Sequence, residues 1–177
     1  MDTIEFKLAT LITPGRAQAK INARSKKHAL EILSEMLAET LPPDPEAPDR
    51  LSLTNSVMEA LVQREKLGST ALGEGIALPH ASLPKLEEVT AAVVTLVNPV
   101  DFDAPDGQPV DVMMALIAPS PASPAHREIL ERASMVLSNH TGTCPLREAQ
   151  SSTELHAALE CVDRAILATY ESEAEEN

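Results

Sequence analysis

The sequence predicts an α/β fold, and two observations carry that prediction. Val89–Val97 and Val110–Ala118 are nearly continuous apolar runs rich in β-branched residues and flanked by turn residues. They are too short for buried helices and read as the central strands of a covered sheet. Around them, apolar residues recur at helical spacing: Leu30, Leu33, Leu37 and Leu41 before, and Ile129, Leu130, Ala133, Val136 and Leu137 after. Strands alternating with helices belong to layered α/β domains. With 177 residues the chain is long enough to bury a core, and one domain over residues 1–177 is expected, its core at about 15–162.

In chain order, Pro14-Gly15 marks a turn, and Ala17 to Asn22 alternate polar and apolar like an edge or half-buried strand. Ser25 is a suitable N-cap for an amphipathic helix of about four turns, with His28 exposed in its first turn. Pro42 to Pro48 carries four prolines and must be a surface connection. It is not an interdomain linker, because the residues before it are too few to hold a core. A second helix starts near Ser52 or Thr54 and places Arg64 on the face of Val57 and Leu61. An arginine there either covers apolar surface with its stem or meets an anion.

Gly68, Gly73 and Gly75 are half of the chain's six glycines and punctuate a loop before Ile76–Leu78, a short extended segment. Pro79 biases Leu78 towards β geometry, so His80 is expected to leave a strand end on a rigid base, facing solvent. Pro119 to Pro124 forces a loop, and His126 follows on the apolar side of the next helix's first turn. Taken alone, His126 reads as a satisfied core histidine, while His140 and His156 read as surface residues. Ser151 or Ser152 caps a last helix carrying Leu155, Leu159 and Val162, and the acidic tail 171–177 is expected to fray.

Composition excludes several functions. Acidic residues outnumber basic ones, 14 − 27 = −13, and no Lys/Arg cluster offers a footprint for nucleic acid. The acidic surface suits a basic protein partner or serves solubility. Scarce aromatics leave no platforms for stacking bases or sugar rings. Cys144 and Cys161 lack metal-site spacing and read as free thiols; with no leader-like N-terminus and no membrane-length apolar run, a cytoplasmic protein is expected. Gly68 to Gly73 has P-loop spacing, but no lysine follows and a strand takes the helix's place, so nucleotide binding is not expected. Asp101 to Gly107 resembles a calcium loop, yet Pro105 occupies a ligand position and the glycine comes one residue late. A zinc site from His80, His126 and His140 would have no sequence-adjacent ligand pair. No metal and no cofactor are expected.

The run Arg64-Glu65-Lys66-Leu67-Gly68-Ser69-Thr70-Ala71-Leu72-Gly73-Glu74-Gly75-Ile76-Ala77-Leu78-Pro79-His80 resembles the active-site motif R-E-x-x-G-S-T-x-x-x-x-G-[IV]-A-[IL]-P-H, without a gap. That motif belongs to the enzyme IIA domains of the bacterial phosphotransferase system (PTS), of the fructose/mannitol/nitrogen-regulatory type. Asp101-Phe102-Asp103 and Gln108-Pro109-Val110-Asp111 look like further landmarks of that family. The resemblance implies a mixed sheet of about five strands with helices on both faces. It implies that His80 is the phosphoryl acceptor, forming a tele-phosphohistidine, and that His126 and Arg64 stand beside it. The amides and hydroxyls of Ser69 and Thr70 are then placed to cradle the phosphoryl group. The implied donor is a histidine phosphocarrier of the HPr/NPr type. Because no permease or IIB domain is attached, the chain resembles the nitrogen-regulatory members, which signal to regulatory target proteins by phosphorylation state. The alternative is a IIA component that passes phosphate to a IIB domain in fructose or mannitol transport.

Overall fold

The computed structural model describes residues 7–43 and 49–175, with side chains to Thr169. The connection expected at Pro42 to Pro48 lies mostly outside the described residues. A short helix α1 (Leu8–Leu11) and a 3-10 turn (Pro14–Arg16) lead into strand β1 (Ala17–Ile21). Helices α2 (Lys26–Ala38) and α3 (Arg50–Lys66) follow, then β2 (Ala71–Gly73), β3 (Ile76–Ala77) and β4 (His80–Leu83). The long strands β5 (Thr90–Val100) and β6 (Val110–Pro119) precede helices α4 (Pro124–Ser138), α5 (His140–Glu148) and α6 (Ser152–Glu175).

The fold is α/β, with one mixed sheet in the order β1-β5-β6-β3-β2 and β4 pairing with β6. β5 and β6 pair antiparallel at its centre; β1 runs parallel to β5, and β3 and β4 run parallel to β6. Period-two alternation sorts the two central strands into opposite layers. Ala92, Val94, Leu96, Met113, Ala115 and Ile117 face α2 and α3. Ala91, Val93, Val112, Met114 and Leu116 face the layer of α1, α4, α5 and α6. The strands read as continuous apolar runs because both faces are covered.

Several boundaries differ from the sequence reading. The sheet has six strands rather than about five, because the chain resumes pairing with β6 after Pro79: Leu116 N–H donates to the Pro79 carbonyl at 3.0 Å, and His80 opens β4. His80 therefore starts a strand instead of leaving one. α2 stops at Ala38, yet Leu41 is still buried in the loop behind it. α3 starts at Arg50, not Ser52 or Thr54, because the Asp49 carboxylate caps it by accepting from Ser52 N–H at 2.7 Å.

Helix α5 had no strong sequence signal, since it contains Gly142 and Pro145. Packing explains the glycine: a Cβ at Gly142 would lie 2.6 Å from Val162 Cγ1 of α6. His156 is half-buried rather than a surface residue, its Nε2 donating to the Ala9 carbonyl at 3.1 Å. The helix α6 continues to Glu175, into the acidic stretch expected to fray.

Candidate functional site

A tight turn aims the strand that delivers His80. Glu74 and Gly75, between β2 and β3, both have positive φ (55° and 81°), the twist that a two-residue hairpin needs. Gly75 is also sterically required, because a Cβ there would lie 2.8 Å from Arg147 Nη2 and from Asp111 Oδ1. Asp106 accepts from Glu74 N–H at 2.7 Å, Arg147 Nη2 donates to the Glu74 carbonyl at 2.5 Å, and Arg147 pairs with Asp111 at 2.9 Å. These contacts fasten the hairpin to the loop before β6 and to α5. In the stretch that only resembles a calcium loop, Asp106 ties down backbone, and hydrogen bonds from the Glu74 and Gln108 amides hold its carboxyl below the usual carboxylate range.

The hydrogen bonding of His80 fixes its tautomer. Nδ1 lies 2.8 Å from the carbonyl oxygen of Leu78, and a carbonyl only accepts, so Nδ1 carries the proton and Nε2 keeps its lone pair. Burial pushes the His80 pKa below its ordinary value of 6.5; the Leu78 carbonyl opposes that shift, Arg64 adds to it, and Glu65 opposes it. The ring is therefore a neutral Nε2 nucleophile at neutral pH.

His126 holds the opposite tautomer. It occupies the third position of α4 and closes a capping box with Ser123. Its Nδ1 accepts from Ser123 N–H at 3.0 Å, so in the neutral ring the proton sits on Nε2. The side chain is half-buried rather than sunk in the core, and its ring is bound to backbone at the helix start.

His80, His126 and Arg64 meet in one open cleft of about 610 Å³, together with Arg127 and Leu67. Among the described residues, no carboxylate lines this cleft, although the chain carries a net charge of −13. Arg64 Nη1 donates to the Gly68 carbonyl at 2.9 Å, which sets the guanidinium beside the glycine loop. Arg127 was not singled out in the sequence; its only signal was adjacency to His126. His140 is apart from this group, its Nδ1 2.7 Å from the Glu74 carboxylate on the exposed surface. No metal-binding cluster occurs among the described residues.

Ser69 and Thr70 do not line the cleft, and their hydroxyls tie the loop to its neighbours. Ser69 Oγ donates to the Phe102 carbonyl at 2.8 Å, and Thr70 Oγ1 donates to Glu65 Oε2 at 2.5 Å. Glu65, whose side chain is 6% exposed, also accepts from Thr70 N–H at 3.0 Å and pairs with Lys26 at 3.1 Å. Lys26 in turn reaches Asp103 at 3.0 Å and stands 4.6 Å above the Phe102 ring. Lys26 escaped the sequence reading because its partners lie far along the chain.

Comparisons with known proteins identify the family. The family model described as "Phosphoenolpyruvate-dependent sugar phosphotransferase system, EIIA 2" matches residues 10–161. A nitrogen regulatory protein of Pseudomonas aeruginosa is 37% identical over 151 residues, covering 85% of this chain and 93% of that protein. One from Escherichia coli is 38% identical over 155 residues, covering 85% and 88%. The crystal structure of nitrogen regulatory protein IIA-Ntr from Neisseria meningitidis superposes with a TM-score of 0.74 at 30% identity, over 86% of this chain and 98% of that one. No helix among the described residues is long and apolar enough to cross a membrane. Sequence motif, fold and these relatives together make the chain a member of the EIIA type 2 family of the phosphoenolpyruvate-dependent sugar phosphotransferase system.

Proposed function

We propose that the chain is a regulatory phosphocarrier of the nitrogen-related phosphotransferase system, acting in the cytoplasm. His80 Nε2 accepts a phosphoryl group from the phosphohistidine of an HPr-like (NPr) protein, and the phosphorylation state of His80 selects the regulatory protein engaged. The observation that carries this reading is the Nδ1–Leu78 hydrogen bond, which leaves Nε2 free beside two arginines and a donor histidine.

In the transfer, the Nε2 lone pair forms the new P–N bond while the donor's P–N bond breaks and its electron pair returns to the donor imidazole. No proton leaves His80. Its Nδ1–H stays on the Leu78 carbonyl, which stabilises the positive charge that develops on the ring. Arg64, Arg127 and the Nε2–H of His126 offset charge on the phosphoryl oxygens. The hydroxyls of Ser69 and Thr70 act here by holding the loop in shape. Leu67, 85% exposed on the cleft rim, gives the carrier protein an apolar contact.

The test is incubation with enzyme I, a histidine phosphocarrier and phosphoenolpyruvate. One acid-labile phosphoryl group should appear, on His80, and His80→Ala should take none; undiminished labelling of that variant rejects the assignment. The relatives' regulatory names favour this reading over a sugar-transport IIA. Rapid onward transfer to a fructose- or mannitol-type IIB domain would reverse that preference.

A further inference from the structure

A second cleft, of about 820 Å³, shares Val89 with the His80 cleft, and Arg16 lies in its wall. The 3-10 turn at Pro14–Arg16 presents this side chain beside Thr90, the first residue of β5. Arg16 Nη1 donates to Thr90 Oγ1 at 2.6 Å. Thr90 Oγ1 lies 3.2 Å from Thr40 Oγ1, which itself donates to the Leu37 carbonyl at 3.0 Å. With the Thr40 proton committed to Leu37, Thr90 must be the donor in the pair, so the chain of bonds runs from arginine through two hydroxyls to a backbone carbonyl. It contains no negative charge.

Arg16 Nε is shielded from solvent and has no acceptor; no ion pair with a carboxylate neutralises the guanidinium among the described residues. Arg16 is half-buried, and withdrawing part of a permanent cation from water without an anion is unfavourable; that burial lowers its pKa. The guanidinium nonetheless stays charged in any protein environment. With Nη1 held by Thr90, Nε and Nη2 remain as the edge that matches two oxygens of a carboxylate or phosphate.

We propose that this cleft is a binding site for a small oxyanion, a carboxylate or phosphate group, held by the Nε/Nη2 edge of Arg16 with the guanidinium braced by Thr90. Because Nε is shielded, the side chain must swing slightly for both donors to engage. Glu87 and Glu88 also stand on the cleft wall, and the cleft volume limits the ligand to a small molecule. The site is independent of phosphoryl transfer at His80.

The experiment is an NMR titration of the full chain, following the Arg16 Nε–H and the Thr90 amide, with inorganic phosphate in one arm and succinate in the other. Saturable shifts of both signals in at least one arm are expected, and the arm that responds names the head group. The shifts should persist in Arg64→Gln, which weakens anion binding in the His80 cleft, and disappear from the Thr90 amide in Arg16→Gln. Thr90→Val, which removes only the brace, should weaken binding by about tenfold. The proposal is overturned if neither probe moves the Arg16 signal, or if Arg16→Gln responds like the parent. Should Arg16→Gln fail to fold, parental affinity in Thr90→Val overturns it as well.

Discussion

His80 donates from Nδ1 to the carbonyl of Leu78, two residues back, at 2.8 Å. This one bond decides which ring nitrogen can act as nucleophile, and it survives phosphorylation because Nε2 takes the new bond. The expected product is a tele-phosphohistidine, readable from the ring nitrogen shifts. Phosphorylation at Nδ1 would show that the bond breaks during transfer.

Burial is the largest cause of the lowered His80 pKa, and its sign fixes two pH dependences. As pH falls, the unfolded chain takes up the proton first, at about pH 6.5. The contribution of His80 to stability is therefore complete above that pH and is lost as pH falls through the lower folded value. Phosphoryl acceptance should likewise stay level down to about pH 6.5 and decline only below it. An NMR titration of His80 should give a midpoint under the ordinary histidine value, and a midpoint at or above it contradicts the account.

His126 joins two roles that substitutions can separate. His126→Ala removes the acceptor for Ser123 N–H and the Nε2–H donor together, so transfer should slow and stability fall by roughly 0.5–1 kcal/mol. His126→Glu restores an acceptor at the capping position, so stability should recover while a carboxylate in the cleft slows transfer further. Parental transfer rates in both variants would leave His126 only a structural part.

Arg64 sits at the cleft with Nη1 on the Gly68 carbonyl, and its planar fork is what lysine cannot reproduce. Arg64→Lys should fold with nearly unchanged stability and transfer phosphate about tenfold to a hundredfold more slowly, the loss of one charge-assisted hydrogen bond in the transition state. If Arg64→Lys keeps the parental rate while Arg64→Ala loses stability, the side chain serves packing alone.

Lys26 neutralises Glu65, and Glu65 holds the amide and hydroxyl of Thr70. Lys26→Met leaves a nearly buried carboxylate without its cation, and the expected loss is about 1–3 kcal/mol. Because Glu65 already acts to raise the His80 pKa, removing Lys26 should move that pKa upward. A melting curve combined with a His80 titration checks both; a lower melting temperature with a fixed His80 pKa would confine Lys26 to packing.

Much of the fold was legible because the determining signals are local. The β5 and β6 runs, the Ser25 cap, the Arg64 to His80 motif and the edge strand at Ala17 each declare themselves within a few residues. Where local signals competed, the reading slipped. Asp49 outcompeted Ser52 and Thr54 as the α3 cap, and α5 formed despite Gly142 and Pro145 because Gly142 packs against Val162. β4 was missed as a strand because Pro79 reads as an interruption, while its pairing partner Leu116 lies on a distant strand.

By itself, the sequence determined the histidine proposed as phosphoryl acceptor, the glycine turn before it and the apolar runs that build the sheet. Spacing along the chain controls backbone bends and side-chain alternation. The tertiary structure alone decided the charge states and tautomers, because these depend on partners brought together across the fold. Leu78 turns Nε2 of His80 outward, Ser123 leaves the His126 proton on the opposite nitrogen, and Lys26 holds Glu65 under the loop. It also decided that Thr70 bonds to Glu65, and that Arg16 lies against Thr90. Burial and hydrogen-bond geometry set those outcomes, and neither is a property of any short stretch of sequence.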